Sequence, residues 1–214
     1  MIRYLFCFAL LLITSVALAD SPLTSTPFAE AYQDEEMVLY VKNNKLDNKA
    51  MEFLSNEDAN RVVKIAMINE LSWGNMEYTQ LFEAYLIENG KAKEKTFSML
   101  RNSSTKEKKL SKAVKKMNTD ELMSWAYLNA LGNYFNPQMS ESAAKMAMAR
   151  DSESMACATV YALIRCQIAF DKSWCEIYKN GQKYFVTNSY KKDYLNINAI
   201  RIILDYLNLY EADC

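Results

Sequence analysis

Apolar residues recur at three- and four-residue steps along most of this chain, and short polar clusters interrupt them, which is the pattern of successive amphipathic helices. Thr26 followed by Pro27 predicts a helix start, with Thr26 as N-cap, running to about Asn43. Asn43-Asn44-Lys45 breaks the pattern. Asp47 is placed to cap a short helix bearing Met51, Phe53 and Leu54, and Asn56 to cap the next, which carries Val62, Ile65, Ala66, Asn69 and Trp73 and closes at Gly74. From Asn75 to Asn89 the positions Tyr78, Leu81, Phe82, Tyr85 and Leu86 form another apolar face, and Gly90 takes the left-handed position after it. Leu110, Ala113, Val114 and Met117 make a narrower stripe. Asn118 with Glu121 three residues on reads as a capping box leading into LMSWAYLNALGNYF, punctuated by Gly132 and Pro137. A helix over 140–150 follows, and Asp151 or Ser152 is placed to cap its successor.

That successor, Met155 to Phe170, has only Arg165 and Gln167 as strongly polar members, too few for the solvated face of a surface helix. It is expected to be central and buried. The final helix, starting at Asp193, carries apolar residues from Leu195 to Leu209 around most of its circumference, which would centre the core near the C-terminus. Leu128, Leu131, Gly132 and Phe135, followed by Ala144 and Met148, match part of a tetratricopeptide pattern, but Arg165 and Cys166 stand where a second copy would repeat Leu131 and Gly132.

The first residues add a destination. One positive charge at Arg3, an apolar run from Leu5 to Ala17, and Ala17-Leu18-Ala19 before Asp20 predict a signal peptide over residues 1–19, cleaved after Ala19. The run is too short to span a bilayer. Residues 20–26 are expected to be a polar leader, and residues 27–214 one domain. With only 4 Gly and 3 Pro in 214 residues, turn-dense β architectures are disfavoured. The expected class is all-α, a single multi-helix domain of about 8–10 helices built from antiparallel hairpins and solenoid-like in part.

Cys7 leaves with the signal, so four cysteines would face an oxidising compartment, where two disulfides with three possible connectivities are expected. Cys157 and Cys166 are nine residues apart, about half a revolution round a helix, and cannot bond each other there. Cys166 and Cys175 lie on either side of a turn near Phe170 to Lys172, which favours a Cys166–Cys175 bridge across a hairpin and leaves Cys157 to Cys214. The longer loop is worth about 4 kcal/mol and the shorter about 2.7 in the chain-entropy description.

Charge is unevenly spread. Residues 91–116 contain ten Lys or Arg against Glu94 and Glu107, a balance of +8, whereas the exported chain has 24 basic and 26 acidic residues, leaving about −10 elsewhere. The plainest reading is a helix docked by its apolar stripe with a solvated lysine face; the functional one is an acidic partner or an anionic envelope polymer. Histidine is absent, which excludes Ser-His-Asp and Cys-His catalysis and His-bearing zinc sites. The four glycines are isolated and read as helix terminators, so no phosphate loop is present. Cysteine spacing lacks the CxxC pairs of a thiolate zinc site. Carboxylate pairs are the remaining catalytic device. Asp34-Glu35-Glu36, Glu57-Asp58 and Asp120-Glu121, however, fall in first turns or on exposed faces where acids are expected for capping. Trp73, Trp125 and Trp174 are expected in the core. No catalytic residue, metal site, cofactor, nucleic-acid interface or membrane anchor is predicted.

The C-terminal third places Cys157 on a buried helix and Cys175 after a turn, then YFVTNSYKKDYLNINAIRIILDYLNLYEADC ending on Cys214. In this order it resembles the small disulfide-bonded helical immunity proteins that neutralise cell-wall amidase effectors of type VI secretion. The likeness is one of layout over about 58 residues; Asp213 stands where those proteins often have Pro, and residues 27–150 have no counterpart. It implies a periplasmic inhibitor that acts by occlusion. The expected function is therefore an exported, non-enzymatic protein-binding protein, which the resemblance narrows to an immunity protein or inhibitor of a secreted cell-wall hydrolase. The alternatives are a helical envelope scaffold or adaptor and, third, a carboxylate-dependent wall hydrolase.

Overall fold

The computed structural model describes residues 21–71 and 73–214; the signal-peptide segment expected over 1–19 lies outside the described residues. The fold is all-α. Eleven α-helices follow in order among the described residues: α1 (Glu36–Asn44), α2 (Asn48–Ser55), α3 (Arg61–Glu70), α4 (Met76–Glu88), α5 (Glu94–Arg101), α6 (Glu107–Ala113), α7 (Thr119–Gly132), α8 (Gln138–Arg150), α9 (Met155–Phe170), α10 (Trp174–Gly181) and α11 (Ile197–Leu207). 3-10 turns occupy Phe28–Tyr32 and Asn208–Asp213, and a π-helical turn Gln182–Thr187 extends α10. No strand occurs among the described residues; Ser154 and Lys192 form one isolated parallel bridge.

Local caps account for most boundaries. Asp47, Asn60, Asn75, Ser154 and Asn196 each accept a backbone N–H in the first turn of α2, α3, α4, α9 and α11. Asn118 and Glu121 close the expected capping box on α7. Several expected starts move. The hydroxyl of Thr26 donates to the Pro22 carbonyl instead of capping, and the predicted first helix divides into the 3-10 turn and α1. Asn56 ends α2 and uses its side chain on Asp58 N–H, so α3 is capped by Asn60. Ser154, not Asp151 or Ser152, caps α9. Asp193 lies in the left-handed region at φ 54°, well before α11 begins at Ile197. Gly74 and Gly90 have positive φ as terminators should. Gly132 serves another need: a Cβ there would lie 3.1 Å from the Asn75 carbonyl, so its size permits α7 to approach the start of α4.

The core is built on α7 and α9. Every residue of α7 from Asp120 to Leu131 is buried, and so is every residue of α9 except Arg165 and Phe170. Each large apolar side chain withdrawn from water in this way stabilises by roughly 1.5–3 kcal/mol. Helix α11, expected to be buried all round, is not: Ala199, Ile203, Tyr206 and Leu207 face inward, while Ile197 is 74% exposed. The core therefore centres on α7 and α9. Trp125 is buried as expected, but Trp73 and Trp174 are partly exposed, on turns and helix rims. The segment expected to be a polar leader is packed in. Leu23 is buried, its N–H donates to Gln167 Oε1 of α9 at 3.2 Å, and Thr26 has no exposed surface.

A balanced ion cluster ties distant segments to this core. Arg61 donates to Asp120 on α7, to Asp151 after α8 at 2.8 Å, and to Asp193 at 2.8 Å. Lys64, wholly buried, bonds Asp120 at 2.7 Å and the Asn56 carbonyl, and Lys192 bonds Asp151 at 2.7 Å. Three cations thus meet three carboxylates. Burial lowers the Lys64 pKa, against which the Asp120 carboxylate works. Burial alone would raise Asp151, but the hydrogen bonds from Lys192 and Arg61 outweigh it and hold the carboxyl below its ordinary value.

The cysteine pairing corrects the sequence expectation. Cys175 bonds Cys214, and Cys157 and Cys166 are free, buried thiols. Cys157 and Cys166 do reach different neighbours from α9. Cys157 lies 3.8 Å from the Met123 sulfur on α7, and Cys166 lies 3.7 Å from the Ile177 carbonyl on α10. Ile177 is the α10 residue turned into the core, and Cys175, two positions earlier, is about 200° away round the helix. Cys175 therefore faces away from α9, toward the 3-10 turn that carries Cys214. Burial pushes the Cys157 thiol up to about 11, and Cys166 higher still.

Two outcomes are expected. Non-reduced peptide mapping should find Cys175 linked to Cys214, with Cys157 and Cys166 alkylated only after denaturation; a Cys166–Cys175 link would contradict the fold. Arg61→Ala should lower unfolding free energy by about 3–5 kcal/mol in urea titration, since it takes a cation from each of three carboxylates, of which Asp120 is 1% exposed and keeps only Lys64.

Candidate functional site

The basic stretch 91–116 folds as two short helices, α5 and α6, joined by the turn 102–106. Gly90, at φ 67°, turns the chain out of α4 and into this segment. Phe97 and Leu100 dock α5 on the core, and the Phe97 ring stacks on Trp125 with centroids 5.8 Å apart. Leu110, Val114 and Met117 dock α6, so three of the four residues of the expected stripe are buried. Arg150 of α8 donates to the carbonyls of Met117 at 2.7 Å and Val114 at 3.2 Å, satisfying groups left open where α6 ends.

Seven of the ten basic residues then divide by role. Arg101 is held by the Glu83 carboxylate and the Asn129 side chain and lies over the Trp125 ring, a structural position. Lys91, Lys93, Lys95, Lys112, Lys115 and Lys116 converge on one groove of about 500 Å³ between α5 and α6. Its remaining lining is Gly90, Ala92, Thr96, Met99 and Ala113, so the floor is apolar and the rim cationic. Among the described residues, Lys91 is the only one of the six within 4 Å of a carboxylate, at 3.6 Å from Glu121. The docked stripe and the solvated lysines expected from the sequence are both present. Sequence spacing did not reveal that lysines of two helices and their flanking turns face one concavity.

Lys91 also borders a second cavity of about 190 Å³, lined by Glu52, Ser55, Asn56, Tyr85, Asn89 and Glu121. Glu121 Oε2 accepts the Asn118 N–H at 2.8 Å, while Oε1 lies 3.6 Å from the Lys91 ammonium and accepts no hydrogen bond among the described residues. Burial raises the Glu121 carboxyl above its ordinary value, against the opposing pull of the Asn118 N–H and Lys91. Asp120 and Glu121 lie in the first turn of α7, one of the two placements expected of them, and both are buried. Asp120 is engaged by Arg61 on one carboxylate oxygen and by Lys64 on the other. Among the described residues, no group of three His, Cys, Asp or Glu side chains is placed to hold a metal ion. None of the described helices is long and apolar enough to cross a membrane.

Sequence reasoning missed the Arg61 cluster. Its one legible sign was Lys64, set between Val63 and Ile65 with Met67 and Ile68 three and four positions on. Comparison with known families, curated proteins and solved structures gives no match to this chain.

Glu121 offers a pH test. Because its folded pKa lies above the unfolded value of 4.5, the native state binds the extra proton, and wild-type stability falls as pH rises from 4.5 through the folded value. Glu121→Gln, which keeps an acceptor for Asn118 N–H, should raise the midpoint of thermal unfolding at pH 7, and the gain should vanish below pH 4.5.

Proposed function

We propose that this protein is an exported, non-enzymatic binding protein that inhibits a secreted hydrolase by occlusion, and that the lysine groove is where it grips its partner. The observation that carries the reading is the groove itself: six lysines from two helices and their flanking turns round one concavity, five of them with no carboxylate in reach among the described residues. Uncompensated like charge held on a rigid scaffold repels itself. It is relieved when a partner of opposite sign docks, and it steers that partner in from a distance. The Cys175–Cys214 disulfide agrees with residence in an oxidising compartment. The layout likeness to immunity proteins of the periplasm points to the same class of activity. A face that only blocks needs no reacting group, and the buried, paired state of Asp120 suits such a face better than it suits a hydrolase.

The test uses the full chain as bait in envelope and competitor lysates at low and high salt. A captured hydrolase should lose its activity, and the variant carrying Lys112→Glu, Lys115→Glu and Lys116→Glu should associate about tenfold or more slowly. Capture that leaves the hydrolase fully active would refute inhibition, and equal capture by the variant would move the interface away from the groove.

A further inference from the structure

The groove's composition specifies its occupant more closely than its charge does. A site built for a bare inorganic anion surrounds it with N–H donors. Here the lysines stand at the rim, and Ala92, Met99 and Ala113 pave the floor between them. Ala92 is 9% exposed, and Met99 and Ala113 are half-buried, so part of this apolar surface remains in contact with water. The concavity, at about 500 Å³, has room for several side chains.

Resting on the binding role proposed above, we infer that the groove takes an acidic protein segment carrying apolar side chains between its carboxylates. The carboxylates meet Lys93, Lys95, Lys112, Lys115 and Lys116 at the rim, and the apolar side chains rest on Met99, Ala92 and Ala113. Met99 suits such a floor, because an unbranched thioether adapts to the shape laid upon it. An anionic membrane would satisfy the lysines equally well, but a concave floor cannot lie flat on a bilayer. No large apolar side chain between 91 and 117 is among the exposed ones of the described residues, so none projects into water to insert there. Charge gives the encounter, and the floor gives the discrimination among acidic partners.

Fluorescence polarisation with the full chain tests this. The probes are three labelled peptides of equal length: Asp/Glu with Gly and Ser, the same acids with leucines interspersed, and the leucine peptide with its acids changed to Gln. Phosphatidylglycerol and phosphatidylcholine vesicles form a second arm. The acidic leucine peptide should bind about tenfold or more tightly than the acidic Gly/Ser peptide, and the Gln peptide should not bind. Met99→Gln, and separately Ala113→Gln should the first fail to fold, should erase the leucine preference while leaving the salt dependence intact. Equal binding of the two acidic peptides, a preference untouched by both variants, or tighter binding to phosphatidylglycerol vesicles than to either peptide overturns the inference while leaving an acidic partner in place. If neither acidic peptide nor vesicle binds, the groove is not the docking site, and the binding role loses its support as well.

Discussion

Arg61 joins stretches of chain that are remote in sequence: Asp120 is 59 positions on, Asp151 is 90 and Asp193 is 132. A single guanidinium can do this because its N–H groups point in fixed, divergent directions, whereas an ammonium would act as a point charge with no preferred geometry. Lys64 and Lys192 complete the neutrality. Desolvating so many charges is costly, and an apolar plug could be equally stable. What the cluster contributes is a unique assembly: α3, the start of α7, the end of α8 and the Lys192–Asp193 crossing can meet in only one register without stranding a charge. The left-handed φ of Asp193 is held within that arrangement.

The docking surface depends on the same frame. Helix α7 presents Asp120 to the cluster and Glu121, the next residue, to the cavity beneath Lys91. One turn of helix therefore carries both the principal internal ion pairs and the carboxylate closest to the basic rim. Helices α5 and α6 are too short to persist alone. They hold their lysines in place because Phe97, Leu100, Leu110 and Val114 are buried in the core, and because Arg150 closes the end of α6.

Much of this was written locally. The 3.6-residue pattern identified α4, α7, α8 and α9, and the bounds of α9 came directly from its uninterrupted apolar run. Asp47 and the Asn118–Glu121 box were legible because capping uses atoms within three residues. What the sequence left hidden was set by distance. Leu23 could be placed in the core only by knowing that Gln167 waits for its N–H. Cys175 could be paired only by knowing which face of α10 turns inward, and the short hairpin loop made Cys166 the plausible but wrong partner. Helix α11 seemed buried because its composition is apolar, although it packs on one face and leaves Ile197 in water. The lysine run was plain, but its shape was not, since concavity arises from how α5 and α6 are each fastened to a third body.

The buried position of Cys166 has a consequence for the order of events during oxidative folding. A thiol nine residues from Cys175 meets it far more often in an open chain than Cys214 does from 39 residues away. The kinetically easy bond is therefore the non-native one, and the native partner sits beyond α11. Once α9 is packed against α7 and α10, Cys166 is removed from competition, and burial, by raising its pKa, also removes the thiolate that would attack. Core formation thus acts as a chemical protecting group, keeping Cys175 available for the partner that arrives last.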